Sequence, residues 1–397
     1  MRNLKRLLTA AAAAGLLAFA AGAWAAEEIV VGGAISATGR YSEPANRMAN
    51  SYKMFVEERN AQGGWLGKKI KLVLLDDKSD TQTSVKLYEK LITEDKVQFL
   101  VGPYSSGITD AVSNVVERYK YPMMGPGASS LSIWSKGRKY LFNILSVAQD
   151  YQKGSMHIAK ELGIKRIAII GEDTLFPRQV AEGTVAWAKK LGMQVVLNES
   201  YPPKQTDFTA LLQKIKARRA EAIMSNSYFA DAAAQIRQLK EQNINVKIFS
   251  GTVGPGLPRF AKELGPIAEY VLGFSQWEPR PDILKNPGMA EYVAKYKKRY
   301  GETPNYHAGQ AYAALQIFEA AVKKANSLEK DKVWAALRGL ETTSILGRWK
   351  VDGRNMNEHE GLTFQILDGQ RKVVYPKKYA ETKYKLPMPD WNKRAKN

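Results

Sequence analysis

Ile29-Val-Val-Gly-Gly-Ala-Ile35 is an uncharged run rich in β-branched residues, the mark of a strand buried on both faces. The period then changes. Met48, Tyr52, Phe55 and Val56 share one helical face, and Gly63-Gly64 stops that helix. The pair repeats: 70–75 predicts a strand, Val85, Tyr88, Leu91 and Ile92 a helix face, 97–101 a strand and 107–119 a helix. After a short strand at 122–124 and an extended segment at 141–145, the alternation restarts. Strands are expected at 167–170, 195–197, 222–225 and 247–249, with helices at 178–191, 208–216 and 230–242. Strand–helix alternation at this spacing means parallel βαβ units. Two runs of it predict an α/β protein of two doubly wound parallel-sheet lobes.

The tail breaks the alternation. A strand at 270–275 is followed by helices at 291–300, 307–325 and 332–340, then by a hairpin, 362–367 and 372–375, across Asp368-Gly369. A helical block cannot complete the second lobe alone, so it should return to the first, and the last strands to the second. The chain would then cross three times, near 143–146, 274–277 and 344–350. The expected division is 26–145 plus 276–345 for the first lobe and 146–275 plus 346–397 for the second. A cleft on three crossover segments is suited to trapping a ligand.

The first residues carry an address. Met1-Arg-Asn-Leu-Lys-Arg6 is basic, 7–23 is almost wholly apolar, and Ala23-Trp-Ala25 has small residues two apart. This predicts a cleavable signal peptide over 1–25 and an exported, periplasmic protein. The chain has 397 residues, with 59 Lys and Arg against 39 Asp and Glu, a formal charge of +20. Loss of Arg2, Lys5 and Arg6 with the leader lowers +20 to +17. The basic residues are dispersed, as in Lys189-Lys190, Arg218-Arg219 and Lys297-Lys298-Arg299, several at helix ends where cations are favoured. That is a solvated surface, and no nucleic-acid partner is expected. The absence of cysteine excludes disulfides, thiolate metal sites and a cysteine nucleophile. The three histidines, His157, His307 and His359, are far apart in sequence.

Ligands of open α/β sheets sit beyond the carboxyl ends of the strands. Four first-lobe loops qualify: Ser36-Ala-Thr-Gly-Arg-Tyr41, Asp76-Asp-Lys-Ser-Asp80, Gly102-Pro-Tyr-Ser-Ser-Gly107 and Gly125-Pro-Gly-Ala-Ser-Ser130. The last two combine glycine, serine and a helix start, so Ser105, Ser106, Ala128 and Ser129 could form a neutral cradle for a carboxylate. Serine and glycine before helices are also ordinary caps and turns, and the loops alone leave both readings open.

End to end, 26–397 resembles the periplasmic branched-chain amino acid (leucine/isoleucine/valine)-binding proteins, the type I substrate-binding proteins of ABC importers. The resemblance is carried by Ile29-Val-Val-Gly-Gly-Ala-Ile-Ser36, Asn60-Ala-Gln-Gly-Gly64, Val73-Leu-Leu-Asp-Asp77, Val101-Gly102 with Ser105-Ser106, and Pro126-Gly-Ala-Ser129, in that order and spacing. It implies the periplasmic binding protein type I fold. It also implies capture of a small solute without chemistry, and delivery to permease subunits at the inner membrane. On the resemblance, Ser106 holds the ligand carboxylate, the Gly127 carbonyl faces an amine, and Ser129 contacts both. Tyr41 stands near the entrance, Phe176 acts as a gate and Tyr228 closes over the ligand.

One departure matters. The family's amino acid binders carry an acid where this chain has Val253, within Thr252-Val253-Gly254. An ammonium buried there without an acid would cost several kcal/mol. The ligand is therefore expected to be a carboxylate without an α-ammonium, or else another acid serves; Asp150, Asp173 and Glu278 are near candidate cleft loops but have no matching role in the family. Tyr41, Tyr104, Phe176, Tyr228 and Trp277 could stack on an aromatic ligand; Tyr104 and Trp277 could equally be hinge or core residues. Alternatives are a branched-chain or other hydrophobic amino acid, a keto acid, an amide or urea-type solute, and a sensor role. A hydrolase is disfavoured: no G-x-S-x-G occurs, and Ser105 is the nearest miss, with Pro103 where the first glycine should stand. Asp76, Asp77 and Asp80 lack EF-hand spacing, and Asp80 should cap the helix that follows. No cofactor or metal is implied. His307, at a helix start, could contact ligand or merely pack.

Overall fold

The computed structural model describes residues 28–285 and 288–394; the leader expected over 1–25 lies outside them. Strands β1 (Ile29–Ile35), β2 (Ile70–Asp76), β3 (Phe99–Val101), β4 (Met123–Met124) and β5 (Leu141–Phe142) form a parallel sheet in the order β2-β1-β3-β4-β5. Helices α1 (Ser42–Ala61), α2 (Thr81–Thr93), α3 (Ser106–Tyr119) and α4 (Leu131–Trp134) connect them. Asp80 caps α2 by accepting from the Thr83 N–H at 2.8 Å.

The second sheet is built from β6 (Arg166–Glu172), β7 (Gln194–Tyr201), β8 (Ala222–Asn226), β9 (Ile248–Gly251), β10 (Leu272–Ser275), β13 (Leu362–Leu367) and β14 (Gln370–Tyr375), in the order β14-β13-β10-β9-β8-β6-β7. Its helices are α5 (Lys153–Glu161), α6 (Leu175–Leu191), α7 (Thr209–Ala217), α8 (Phe229–Glu241) and α9 (Pro258–Leu264). β13 and β14 pair antiparallel across Asp368-Gly369, both at positive φ (53° and 70°), as a tight hairpin turn requires.

The helices α10 (Met289–Tyr300), α11 (Tyr306–Ala325) and α12 (Lys330–Arg338) join the first lobe's core. α11 lies along α1, placing Tyr312 edge-on to Phe55 with ring centroids 5.2 Å apart and Phe318 against Phe99 at 5.4 Å. Burying each such ring contributes about 1.5–3 kcal/mol, which fixes the start of α11, carrying His307 and Gln310, beside the first sheet.

The third crossing differs from expectation. The segment at 341–350, left unassigned by sequence reading, is a second hairpin of β11 (Glu341–Ser344) and β12 (Gly347–Lys350). Trp349 is buried in the first lobe's core, its indole N–H donating to the Asn143 carbonyl at 2.9 Å, and the Asn143 N–H donates to the Asn355 carbonyl at 2.9 Å. The passage into the second lobe therefore runs through 357–361, not 344–350, and 346–357 pack with the first lobe. All three crossings meet at Gln276. Its Oε1 accepts from Ser146 N and Oγ (3.1 and 3.0 Å), and its carbonyl from His359 Nε2 (2.6 Å).

Candidate functional site

The loops after β3 and β4 face those after β6, β8 and β9 across the cleft. Between them is a small pocket. Eight of the residues expected at the site line it: Tyr104, Ser105, Ser106, Gly127, Ser129, Phe176, Tyr228 and Val253. Tyr41, Ala128 and Trp277 do not. Tyr41 stands at the outer mouth of the cleft. Ala128 is buried, and Trp277 packs on Gly309 and edge-on to Tyr292. His307, for which ligand contact and packing were both open, lines the cavity, and so do Leu145, Tyr151, Tyr306 and Gln310, which the sequence reading does not single out for it.

The serine end is held together by close approach of two loops. Gly127 pairs with Tyr104, and a Cβ on Gly127 would lie 2.3 Å from the Pro103 carbonyl oxygen, so only glycine permits this spacing. Ser105 sits at φ 85°, ψ 144°, a conformation that costs a non-glycine residue about 1–3 kcal/mol. The Ser105 N–H donates to the Gly127 carbonyl at 3.1 Å, and its Oγ accepts from the Ile108 N–H at 3.3 Å. The N–H groups of Ser106 and Gly107, in the first turn of α3, have no intrahelical acceptor.

Each hydroxyl here has a direction. Ser106 Oγ accepts from the N–H groups of both Ser129 and Ser130 at 3.2 Å, which leaves its own proton to donate. Those two amides are thus committed to Ser106 and not free for a ligand. Gln276, its Oε1 occupied by Ser146, donates from Nε2 to Tyr151 Oη at 2.9 Å. Tyr151 Oη and Ser129 Oγ are 2.7 Å apart; one proton joins them and one is left over. Burial raises the Tyr151 phenol to about 12, and also holds Tyr104 and Tyr228 well above the usual phenol range, so all three stay protonated donors. On the α11 side, Gln310 Oε1 is buried without a partner.

Among the described residues no Asp, Glu, Lys or Arg lines the cavity. Asp150 accepts from the Trp187 indole at 3.1 Å, Asp173 pairs with Arg178 at 3.2 Å, and Glu278 pairs with Arg371 at 3.1 Å. None of these acids lines the cavity. Burial, with Arg47 and Arg371 adding to it, pushes His307 well below the usual imidazole range, so it is neutral. Val253 is buried in an aromatic cluster with Tyr151, Phe176 and Phe274. Tyr151 stands edge-on to Phe176 at 4.9 Å and stacks on Phe274 at 3.8 Å.

The mouth is closed by contacts between lobes. Arg40 pairs with Glu172, and its guanidinium lies 4.5 Å over the Tyr41 ring and 5.4 Å from that of Tyr228. Tyr41 and Tyr228 meet with ring centroids 5.2 Å apart, and Arg259 approaches Glu43 at 3.9 Å. The arrangement offers no nucleophile–base pair: His307 Nε2 faces Tyr104 Oη at 3.2 Å, not a serine. Among the described residues no group of three or more His, Cys, Asp or Glu could hold a metal.

A fold of two α/β lobes closed on a neutral cavity is that of a solute-binding protein. The sequence profile for periplasmic binding proteins matches residues 28–370, and the chain belongs to that family. It is 28% identical over 404 residues to Leu/Ile/Val-binding protein homolog 7 of Brucella suis biovar 1, covering 97% of this chain and 100% of that one. Among solved structures it resembles the branched-chain amino acid transporter substrate-binding protein LivJ of Streptococcus pneumoniae in complex with isoleucine (TM-score 0.81, 21% identity, 88% of this chain and 100% of that one). It resembles equally an ABC transporter solute-binding protein of R. palustris in complex with benzoate (TM-score 0.79, 17% identity, 87% and 95%).

Proposed function

We propose that the protein captures a small aromatic monocarboxylate lacking an α-ammonium between its lobes, in the periplasm, and presents it to the permease of an ABC importer. The observation that carries this reading is the charge of the cavity: among the described residues its lining holds no carboxylate and no cation, and the family resemblance puts Val253 where the amino acid binders carry an acid. A carboxylate has donors waiting in the Ser106 hydroxyl, the spare proton of the Ser129–Tyr151 pair and the first N–H groups of α3. Charge-assisted bonds of this kind contribute about 1.5–3 kcal/mol each. An ammonium would be buried unpaired, at a cost of several kcal/mol. Phe176, Tyr151 and Tyr228 offer ring faces, each good aromatic pair adding about 0.5–1.5 kcal/mol. The reading is supported by the benzoate complex of an R. palustris protein of this fold.

Titration calorimetry with benzoate and L-leucine tests the reading. Benzoate should saturate one site and, at 100 times its dissociation constant, add about 2.7 kcal/mol to stability. Leucine should give no saturable heat; tight leucine binding would overturn the assignment.

A further inference from the structure

We infer that Asn305 and His307 are positioning residues that set the direction of the Tyr104 hydroxyl proton, turning it into the cavity so that the site prefers an acceptor-only ligand group over one that carries a hydrogen.

The chain of reasoning begins at a helix cap. Asn305 is fully buried at the N-cap of α11, where its Oδ1 accepts from the Ala308 N–H at 3.3 Å. That bond fixes which way the amide faces, because the alternative would set two donors against each other. Nδ2 is therefore the atom 3.1 Å from His307 Nδ1. An NH₂ group can only donate, so His307 Nδ1 must present its lone pair. A neutral imidazole with a lone pair on Nδ1 carries its proton on Nε2. Desolvation keeps the fully buried ring neutral, and the positive charges of Arg47 and Arg371 act in the same direction.

His307 Nε2–H then donates to Tyr104 Oη at 3.2 Å. With its oxygen accepting from the imidazole, the phenol must send its own proton elsewhere. Among the described residues no second acceptor stands within hydrogen-bonding distance of that oxygen. Tyr104 lines the cavity directly before Ser105 and Ser106, so the free direction lies at the serine end. The phenol stays protonated because burial raises it well above its usual value. A carboxylate oxygen receives this proton; an amide NH₂ in the same place would oppose it. Reversing the imidazole tautomer would make Tyr104 donate to His307 and show the ligand a lone pair instead. A buried donor–donor or acceptor–acceptor clash left unrelieved is worth roughly a tenfold to hundredfold change in affinity.

The inference rests on the carboxylate reading for its effect on binding, but its first link does not. Nitrogen-15 correlation spectra of the full ligand-free chain, labelled at its three histidines and assigned with His157→Gln and His359→Gln, report the tautomer directly. His307 should show one proton on Nε2 and an unprotonated Nδ1 at neutral pH. A proton on Nδ1, or on both nitrogens, overturns the relay. Benzoate and benzamide, nearly equal in shape, read the second link. The wild type should favour benzoate, and Tyr104→Phe should shrink that preference by about tenfold. Asn305→Ser keeps a cap for Ala308 but removes the group facing Nδ1; it should give mixed tautomers and lower the preference at least about threefold. A preference unchanged in both variants contradicts the inference, because a purely structural role would weaken the two probes alike. If neither probe binds the wild type, the aromatic carboxylate reading fails, while the tautomer still decides the relay.

Discussion

The inner cavity and the outer mouth of the cleft adjoin each other and are made of opposite materials. The cavity is lined by hydroxyls, rings, one neutral imidazole and an amide. The mouth is lined by Arg40, Glu43, Glu172, Lys204, Asp231 and Arg259. Recognition inside relies on hydrogen-bond direction in a place where an unpaired charge is costly. Closure outside relies on ion pairs between lobes, partly open to solvent and sensitive to salt. Separating the two lets the latch be charged without offering a counter-ion to a zwitterionic solute.

The largest expected effect is inside. Ser106→Ala combined with Ser129→Ala removes two donors and should weaken benzoate by about 3–6 kcal/mol in a calorimetric titration. Unchanged affinity would remove the serine end from the account.

A smaller effect belongs to the mouth and to stability. Asp231 is buried against the Tyr201 hydroxyl at 2.5 Å, and desolvation, with Glu172 adding to it, lifts its carboxyl to about 6 against 3.8; the Tyr201 bond and Arg40 oppose the rise. The folded state thus holds this proton more tightly than the unfolded chain. The cost of ionising Asp231 is fully present above pH 6 and is relieved as pH falls towards 4. Asp231→Asn should therefore stabilise the protein at pH 7.5 by about 1–3 kcal/mol and give little difference from the wild type near pH 4 in denaturant unfolding. Equal gains at both pH values would mean that the burial penalty has been misassigned.

The smallest effect is on rate. Arg40→Ala leaves Glu172 with only the Thr174 hydroxyl, at 2.9 Å. Ligand release in stopped flow should quicken by about tenfold, equivalent to about 1.4 kcal/mol, with association little changed. High salt should quicken wild-type release and barely affect the variant. A slower association in its place would make Arg40 a steering residue, not a latch.

Much of this was legible in residues alone, for physical reasons. The strand runs at 29–35 and 167–170 are apolar because helices cover both faces of a parallel sheet, and that pattern survives without tertiary information. Ser105, Ser106 and Ser129 could be placed because loops at the carboxyl ends of such strands have one destination. Tyr151, Tyr306 and Gln310 were hidden, and His307 was legible only as either a ligand contact or a packing residue, for another reason. They reach the cavity from the first crossing and from a helix that returns from the far end of the chain, and no local period encodes that return. A partial signal existed: His307 and Gln310 are polar, three apart and buried on a helix whose other buried residues are apolar or tyrosine. Trp277 was drawn to the site by its ring, yet its neighbour Gln276 carries the hinge. The hairpin at 341–350 went unread because alternating Arg, Trp and Lys on a short edge looks like a loop until Trp349 is seen in the core.

The most direct test of the central claim is a crystal structure of the full chain with benzoate. The account places the carboxylate on the Ser106 and Ser129 hydroxyls, with Tyr104 Oη donating to it and the ring against Phe176 and Val253. A carboxylate seated among the charges of the mouth, or a zwitterion found with its ammonium beside Val253, would contradict it.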